Sequence, residues 1–311
     1  MFDAASKAFF QTLSHSQVLK TLASRYGMKG RRAFARRFIA GETVDDAIAA
    51  VRELESQRLR HTLDHLGESV ATLAGTERCT GEYLSLIDDV ARAGIGRNIS
   101  LKLTQLGLDV DRATCVDNLR RILAAAGRND FFVRIDMEGS PYTEATLEIF
   151  ETVWRLGERC SGVVLQSCLY RTEQDLERVN RLGARVRLVK GAYREPRSVA
   201  YQQKEDVDAA FVRQAKRLLT TGTYPAIATH DAVIIAEIKR FAAEQHIASD
   251  RFEFQMLYGI RRDLQTSLAA EGYRMRIYVP FGAEWFPYFM RRLGERPANV
   301  GFVLRSLIAE R

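Results

Sequence analysis

The chain has 311 residues, 46% of them apolar and 27% charged, the proportions of a water-soluble globular protein long enough for one barrel-sized domain or two ordinary ones. No stretch approaches about 18 uncharged apolar residues, and the N-terminal MFDAASKAFF lacks a signal-peptide layout, so a cytoplasmic address is expected. The 46 Lys and Arg against 39 Asp and Glu leave a net charge of +7, which suits an anionic partner, but the basic residues are dispersed in no nucleic-acid-binding pattern, and no nucleic acid is expected.

Residues 1–60 read as a helical extension. The basic run KGRRAFARR from Lys29 to Arg37 is either a membrane-surface contact or an ordinary solvated helix face. Thr43, followed by Val44, Asp45 and Asp46, has the form of a helix start, and Ala47 to Arg58 continues as an amphipathic run. From residue 61 the texture changes to short β-type runs alternating with helical ones. Strands are expected at 61–67, 98–104, 131–137, 162–167, 184–190, 224–229, 252–256 and 274–279. Helical patterns fall at 81–93, 111–126, 143–156, 172–182, 205–220 and 232–243. Alternation of this kind makes parallel strands with right-handed crossovers, and eight units make a (β/α)8 barrel of the TIM type over residues 61–311. A doubly wound sheet would announce itself by GxGxxG after the first strand, and none is present.

Cys79, Cys115, Cys160 and Cys168 form no CxxC, the histidines form no HxxxH on a helix, and His61 and His65 fall in a strand, so no metal is expected.

In such barrels the reactive groups stand at the C-terminal strand ends. Those ends carry Asp64 and Glu68, Lys102, Asp136 and Glu138, Gln166 and Ser167, Arg187 and Lys190, Thr229 with His230 and Asp231, Gln255, and Tyr278. Charge inside an otherwise apolar strand costs several kcal/mol unless it is paired, so Lys102, Asp136, Gln166, Arg187 and Gln255 are expected to face one another or a ligand. Arg185 and Arg187 share a strand face as either an ion-pair network or an anion site. Thr229-His230-Asp231 sits where its side chains and free N–H groups either cap a helix or receive a pyrophosphate.

The last strand, Arg274 to Val279, leads through Pro-Phe-Gly into a helix from about Glu284, with Pro287 in the first turn. Trp285, Phe286, Phe289, Met290 and Leu293 make its apolar face, while Tyr288, Arg291, Arg292 and Glu295 fall at i, i+3, i+4 and i+7. That polar stripe is either a solvated face or a cationic clamp for a small anion.

SLKLTQLG (100–107), RIDMEGS (134–140), VVLQSCLYR (163–171), RLVKGAY (187–193), ATHD (228–231), FEFQMLYGI (252–260) and YVPFGAEWFPYFMRRLGE (278–295) together resemble the monofunctional bacterial proline dehydrogenases. The resemblance implies a (β/α)8 enzyme that oxidises L-proline to Δ1-pyrroline-5-carboxylate on non-covalent FAD and passes the electrons to a membrane quinone. It implies that Arg291 and Arg292 bind the proline carboxylate, with Lys102 as a third cation paired to Asp136. Tyr193, Leu257, Tyr278 and Tyr288 then pack around the ring, and Tyr278, Tyr288, Arg187 and Asp136 belong to the catalytic set. FAD falls to Asp136, Gln166, Arg187, Lys190, Gly191, Ala192, Thr229, His230, Gln255, Arg292 and Glu295. Glu68, with Asp64 as its competitor, resembles a gate that pairs with a clamp arginine. Transient contact with the inner face of the cell membrane, and a pyrroline-5-carboxylate dehydrogenase as partner, follow from the same resemblance. The rival functions are a dehydrogenase of hydroxyproline or another cyclic amino acid, and a flavin-free Schiff-base lyase using Lys102 or Lys190.

Overall fold

The computed structural model describes residues 34–295, apart from the side chains at positions 34, 291 and 293–295. Eight parallel strands close in sequence order into a barrel: β1 Arg60–His65, β2 Asn98–Leu101, β3 Phe132–Ile135, β4 Ser161–Gln166, β5 Arg185–Val189, β6 Ala226–Ala228, β7 Glu253–Leu257 and β8 Arg274–Phe281. Each expected strand is present, and the barrel is the (β/α)8 fold read from the alternation.

The helices are α1 Val44–Ser56, α2 Leu73–Ala93, α3 Arg112–Arg128, α4 Thr143–Arg155, α5 Thr172–Arg181, α6 Lys204–Thr221, α7 Ala232–Glu244, α8 Arg262–Ala270 and α9 Trp285–Glu295. Thr43 starts α1 through a capping box, taking the Asp46 N–H on its hydroxyl while the Asp46 carboxylate accepts from the Thr43 N–H. Helix α2 begins earlier than its pattern suggests, at a Thr72 cap, so Gly81 lies inside it. Helix α8 was not anticipated at all.

The extension is not helical throughout. Phe34–Arg37 is a single 3-10 turn, and the residues between it and the Thr43 cap are extended or bent. Those residues edge the barrel instead: the Ala40 N–H donates to the Pro280 carbonyl and the Gly282 N–H donates to the Gly41 carbonyl. Gly259, at φ +74°, lets the loop after β7 lie against this segment, because a Cβ there would run into the Arg37 carbonyl oxygen. Of the basic run, Arg36 pairs with Asp46 across 3.3 Å, and positions 29–33 lie outside the described residues.

The main core fills the space between sheet and helices, from Leu63, Ile99 and Val133 to Ile277. A second apolar cluster sits over one side of the barrel mouth. It joins Ala35, Phe38, Ile39 and Leu66 to Trp285, Phe286, Phe289 and Met290 of α9, and the Trp285 indole N–H donates to Glu42 Oε1 at 2.8 Å. Trp285, Phe286, Phe289 and Met290 are thereby buried against the extension, while Tyr288 and Arg292 line the cavity at the barrel mouth.

Candidate active site

The upper barrel interior is polar, and its side chains meet across the sheet. From β5, the Arg187 guanidinium donates through Nη1 to Asp136 Oδ1 of the β3 end at 2.6 Å and through Nη2 to Ser100 Oγ of β2 at 3.0 Å. The Tyr278 hydroxyl of β8 donates to the other Asp136 oxygen at 2.8 Å, and its ring lies 5.3 Å from the Arg187 guanidinium carbon. Both oxygens of Asp136 are therefore committed as acceptors. Burial raises the Asp136 pKa, with Arg187 and Lys102 pulling against it.

Lys102 donates to Asp64 at 3.2 and 3.5 Å, with Asp64 fully buried and Lys102 8% exposed. Burial alone would lower the lysine pKa, but Asp64, Asp136 and further negative neighbours outweigh it and hold the ammonium above the ordinary lysine range. The expected pairing of Lys102 with Asp136 is thus corrected: Lys102 takes Asp64, and Asp136 takes Arg187. Asp64 is the floor partner of a cation, while Glu68, on the exposed loop after β1, does not line the cavity described next.

A cavity of about 710 Å³ opens above this network. It is lined by fifteen of the expected residues: Lys102, Asp136, Gln166, Arg187, Lys190, Gly191, Ala192, Tyr193, Thr229, His230, Gln255, Leu257, Tyr278, Tyr288 and Arg292. Gln166 donates its amide to the Glu138 carbonyl at 2.9 Å and Gln255 donates to Glu253 Oε1 at 2.6 Å, which leaves each amide oxygen for a ligand. His230 Nε2 accepts the Leu257 N–H at 2.9 Å, so the imidazole ties β7 to the loop after β6. Asp231 caps α7 by accepting from Val233 and Ile234 N–H, while Thr229 and His230 before it line the cavity. Lys190 spans Asp208 at 2.5 Å and Asp231 at 3.3 Å, pinning a cation at the rim.

From above, α9 contributes Tyr288 and Arg292, one turn apart, with the Arg292 guanidinium 5.2 Å over the Tyr288 ring. The side chains of Arg291 and Glu295 lie outside the described residues, so the clamp is defined by Arg292 alone. Arg185 separates from Arg187: it stands exposed at the barrel's other end over the Phe132 and Tyr224 rings, at 5.0 and 5.2 Å.

The profile of the proline dehydrogenase family matches residues 47–305. The chain belongs to the proline dehydrogenase family. It is 42% identical over 299 residues to proline dehydrogenase 1 of Bacillus subtilis (strain 168), covering 96% of this chain and 98% of that one. It is 43% identical over 278 residues to the proline dehydrogenase of Deinococcus radiodurans, covering 88% and 90%. Among solved structures, the proline utilization A protein of Bdellovibrio bacteriovorus inactivated by N-propargylglycine superimposes with a TM-score of 0.78 at 27% identity, over 84% of this chain and 32% of that larger one. The chain thus spans about a third of the proline utilization A protein it resembles in structure.

At this site the sequence missed several contributors. Ser100 and Thr62 are small hydroxyl residues in strands, with no charge to draw notice. Lys204, Val233 and Arg261 also line the cavity. Val233 carried the one usable signal, an apolar residue just after a helix cap, and it is 77% exposed beside the cavity. No three or more metal-binding side chains come together among the described residues, and none of the described helices is long and apolar enough to cross a membrane.

Proposed function

We propose that this member of the proline dehydrogenase family oxidises L-proline to Δ1-pyrroline-5-carboxylate with a non-covalent FAD held in the 710 Å³ cavity. The observation that carries the reading is the set of cavity-lining side chains with hydrogen-bonding capacity left over. The Arg187 Nε is buried and finds no partner among the described residues, and the Gln166 and Gln255 amide oxygens are left over. A donor cation and two acceptors suit the polar edge of a flavin, and Lys190 at the rim suits its phosphates. FAD supplies the two-electron acceptor for a hydride.

The chain's own residues do the rest. Arg292 from above and Lys102 from below offer charge-assisted bonds to the substrate carboxylate. Tyr193, Leu257, Tyr278 and Tyr288 exclude water around the ring and hold it in one pose. Asp136, accepting from both Arg187 and Tyr278, is occupied as an anchor and is not the base, so the amine proton leaves to solvent. Arg187 sets positive charge where negative charge grows. Arg291, Glu295 and the Glu68 gate belong to the same reading, resting on the sequence motif.

Of the two Schiff-base candidates, Lys102 is disfavoured because an amine held cationic by Asp64 is no nucleophile, and Lys190 because its ammonium is paired with Asp208 and Asp231. Transfer of the electrons to a membrane quinone, by a cytoplasmic protein visiting the inner membrane surface, is supported by the net charge of +7, which favours an anionic surface. A pyrroline-5-carboxylate dehydrogenase then takes the product.

An anaerobic absorption spectrum before and after L-proline tests the core of this reading. Flavin bands that bleach on adding proline are expected. Bands that persist would move the substrate elsewhere, and a colourless protein that took up no added FAD would end the proposal.

A further inference from the structure

Thr62 and Ser100 are fully buried, on adjacent strands β1 and β2, and their hydroxyl oxygens lie 3.2 Å apart. Buried hydroxyls cost free energy unless bonded, and the third member of this chain is Arg187, whose Nη2 reaches Ser100 Oγ at 3.0 Å. A guanidinium can only donate. Ser100 therefore accepts from Arg187, and its remaining bond, to Thr62 Oγ1, in which either hydroxyl can donate, ties the Ser100 side chain in place.

The geometry of Arg187 gives this chain a purpose. Asp136 grips Nη1 at 2.6 Å. With that bond alone the planar group could swing about it, redirecting Nε–H. A second grip on Nη2 fixes the plane. The two grips come from β3 and β2, two and three strands around the barrel from the β5 strand that carries the arginine.

We propose that Ser100 and Thr62 are positioning residues that hold the Arg187 guanidinium in the orientation that favours the reduced cofactor. Resting on the flavin reading above, the inference goes beyond it by assigning a function to two uncharged side chains that touch neither substrate nor cofactor. Ser100→Ala removes the second grip, while Thr62→Val keeps the shape and removes only the hydroxyl that bonds Ser100. Thr62→Ser restores that hydroxyl.

The measurement is the midpoint potential of the bound flavin, taken with kcat and KM for L-proline on the FAD-loaded full chain. Ser100→Ala is expected to lower kcat about tenfold with KM unchanged and to make the potential more negative by about 30 mV, the equivalent of tenfold for a two-electron couple. Thr62→Val shifts both in the same direction by roughly threefold, about 14 mV on the same scale, and Thr62→Ser returns them to the wild-type values. Hydroxyls that merely fill the interior would lower the melting temperature and leave the potential where it was, and that result overturns the proposal. So does a rise in KM at constant kcat. If Ser100→Ala fails to fold, the Thr62→Val and Thr62→Ser pair decides. A wild type that takes up no flavin, or is not reduced by proline, overturns the flavin reading and this inference with it. A wild type that bleaches normally, beside variants that match it, overturns this inference alone.

Discussion

The upper and lower halves of the barrel interior are both charged, yet they are built to opposite ends. In the lower half, Arg276 grips Glu253 with Nε at 2.7 Å and Nη2 at 3.0 Å, and spends Nη1 on the His61 carbonyl at 2.6 Å. Glu253 also accepts from Gln255 and from the Tyr224 hydroxyl, and Arg134 donates to the Val163 and Arg185 carbonyls. In the upper half the Arg187–Asp136 pair is as short, at 2.6 Å, and the Lys102–Asp64 pair longer, at 3.2 Å; both are buried, but they front a cavity. An orphan nitrogen alone does not separate the halves, since Arg134 Nε lacks a partner among the described residues just as Arg187 Nε does. What separates them is open space: leftover bonding capacity marks a site only where a ligand can reach it.

The largest expected effect comes from breaking the lower half. Burial by itself raises the Glu253 pKa, but Arg276, with hydrogen bonds from Arg276 and Gln255, brings it down to about 2. Glu253→Gln leaves Arg276 buried without its counter-charge, and a loss of about 3 to 5 kcal/mol is expected in urea unfolding. KM for proline should not move. Because the folded pKa lies below the ordinary 4.5, the Glu253 contribution is fully present above that pH and is lost as pH falls through about 2. The stability gap between wild type and variant is therefore expected to be constant down to the ordinary value and to close below it. A gap that did not change with pH would show that the carboxylate charge is not what holds this half together.

Breaking the upper half should do the reverse. Arg292→Met removes the described clamp cation from over the cavity, and a rise in KM for proline is expected, with kcat/KM falling about 10- to 100-fold, the range for losing one charged partner of a bound anion. Unfolding free energy should stay close to wild type. A loss of stability at unchanged KM would class Arg292 with the lower half.

How much of this contrast the sequence disclosed depended on the kind of signal. Eight strands and most helices were legible because the period switches from 2 to 3.6 at each boundary. Helix α8, Arg262–Ala270, escaped because RDLQTSLAA is short and carries only Leu264 and Leu268 as apolar anchors. The irregular segment before Thr43 was read as part of a helical extension, but its Phe38 and Ile39 serve the cluster under α9. At the site, charged strand ends pointed to the right residues but not to the right partners. Lys102 could meet either Asp64 or Asp136, and the choice is made by how strands β1 to β5 lie around the closed barrel, a relation no single stretch of sequence carries. Ser100 and Thr62 left no trace, since a small hydroxyl in a strand is ordinary until its neighbour across the barrel is known.

The finest distinction concerns substrate choice, and it turns on Tyr278. Its hydroxyl is tied to Asp136 at 2.8 Å and its ring is held 5.3 Å from the Arg187 guanidinium, so the ring cannot retreat to admit extra bulk. A hydroxyl added to the proline ring has to be accommodated against a fixed wall, and a mismatch of that size in a pocket is worth about 1 to 3 kcal/mol. L-proline should therefore be preferred over hydroxyproline by about 10- to 200-fold in kcat/KM. Tyr278→Phe keeps the wall and loses the tie to Asp136, so it should slow proline oxidation while retaining most of the preference. Tyr278→Ser removes the wall, and the preference should fall toward unity. Equal kcat/KM values in the wild type would mean that the tyrosine, though fixed, does not bound the substrate, and would return the upper half to the status of a charged network with a cavity above it.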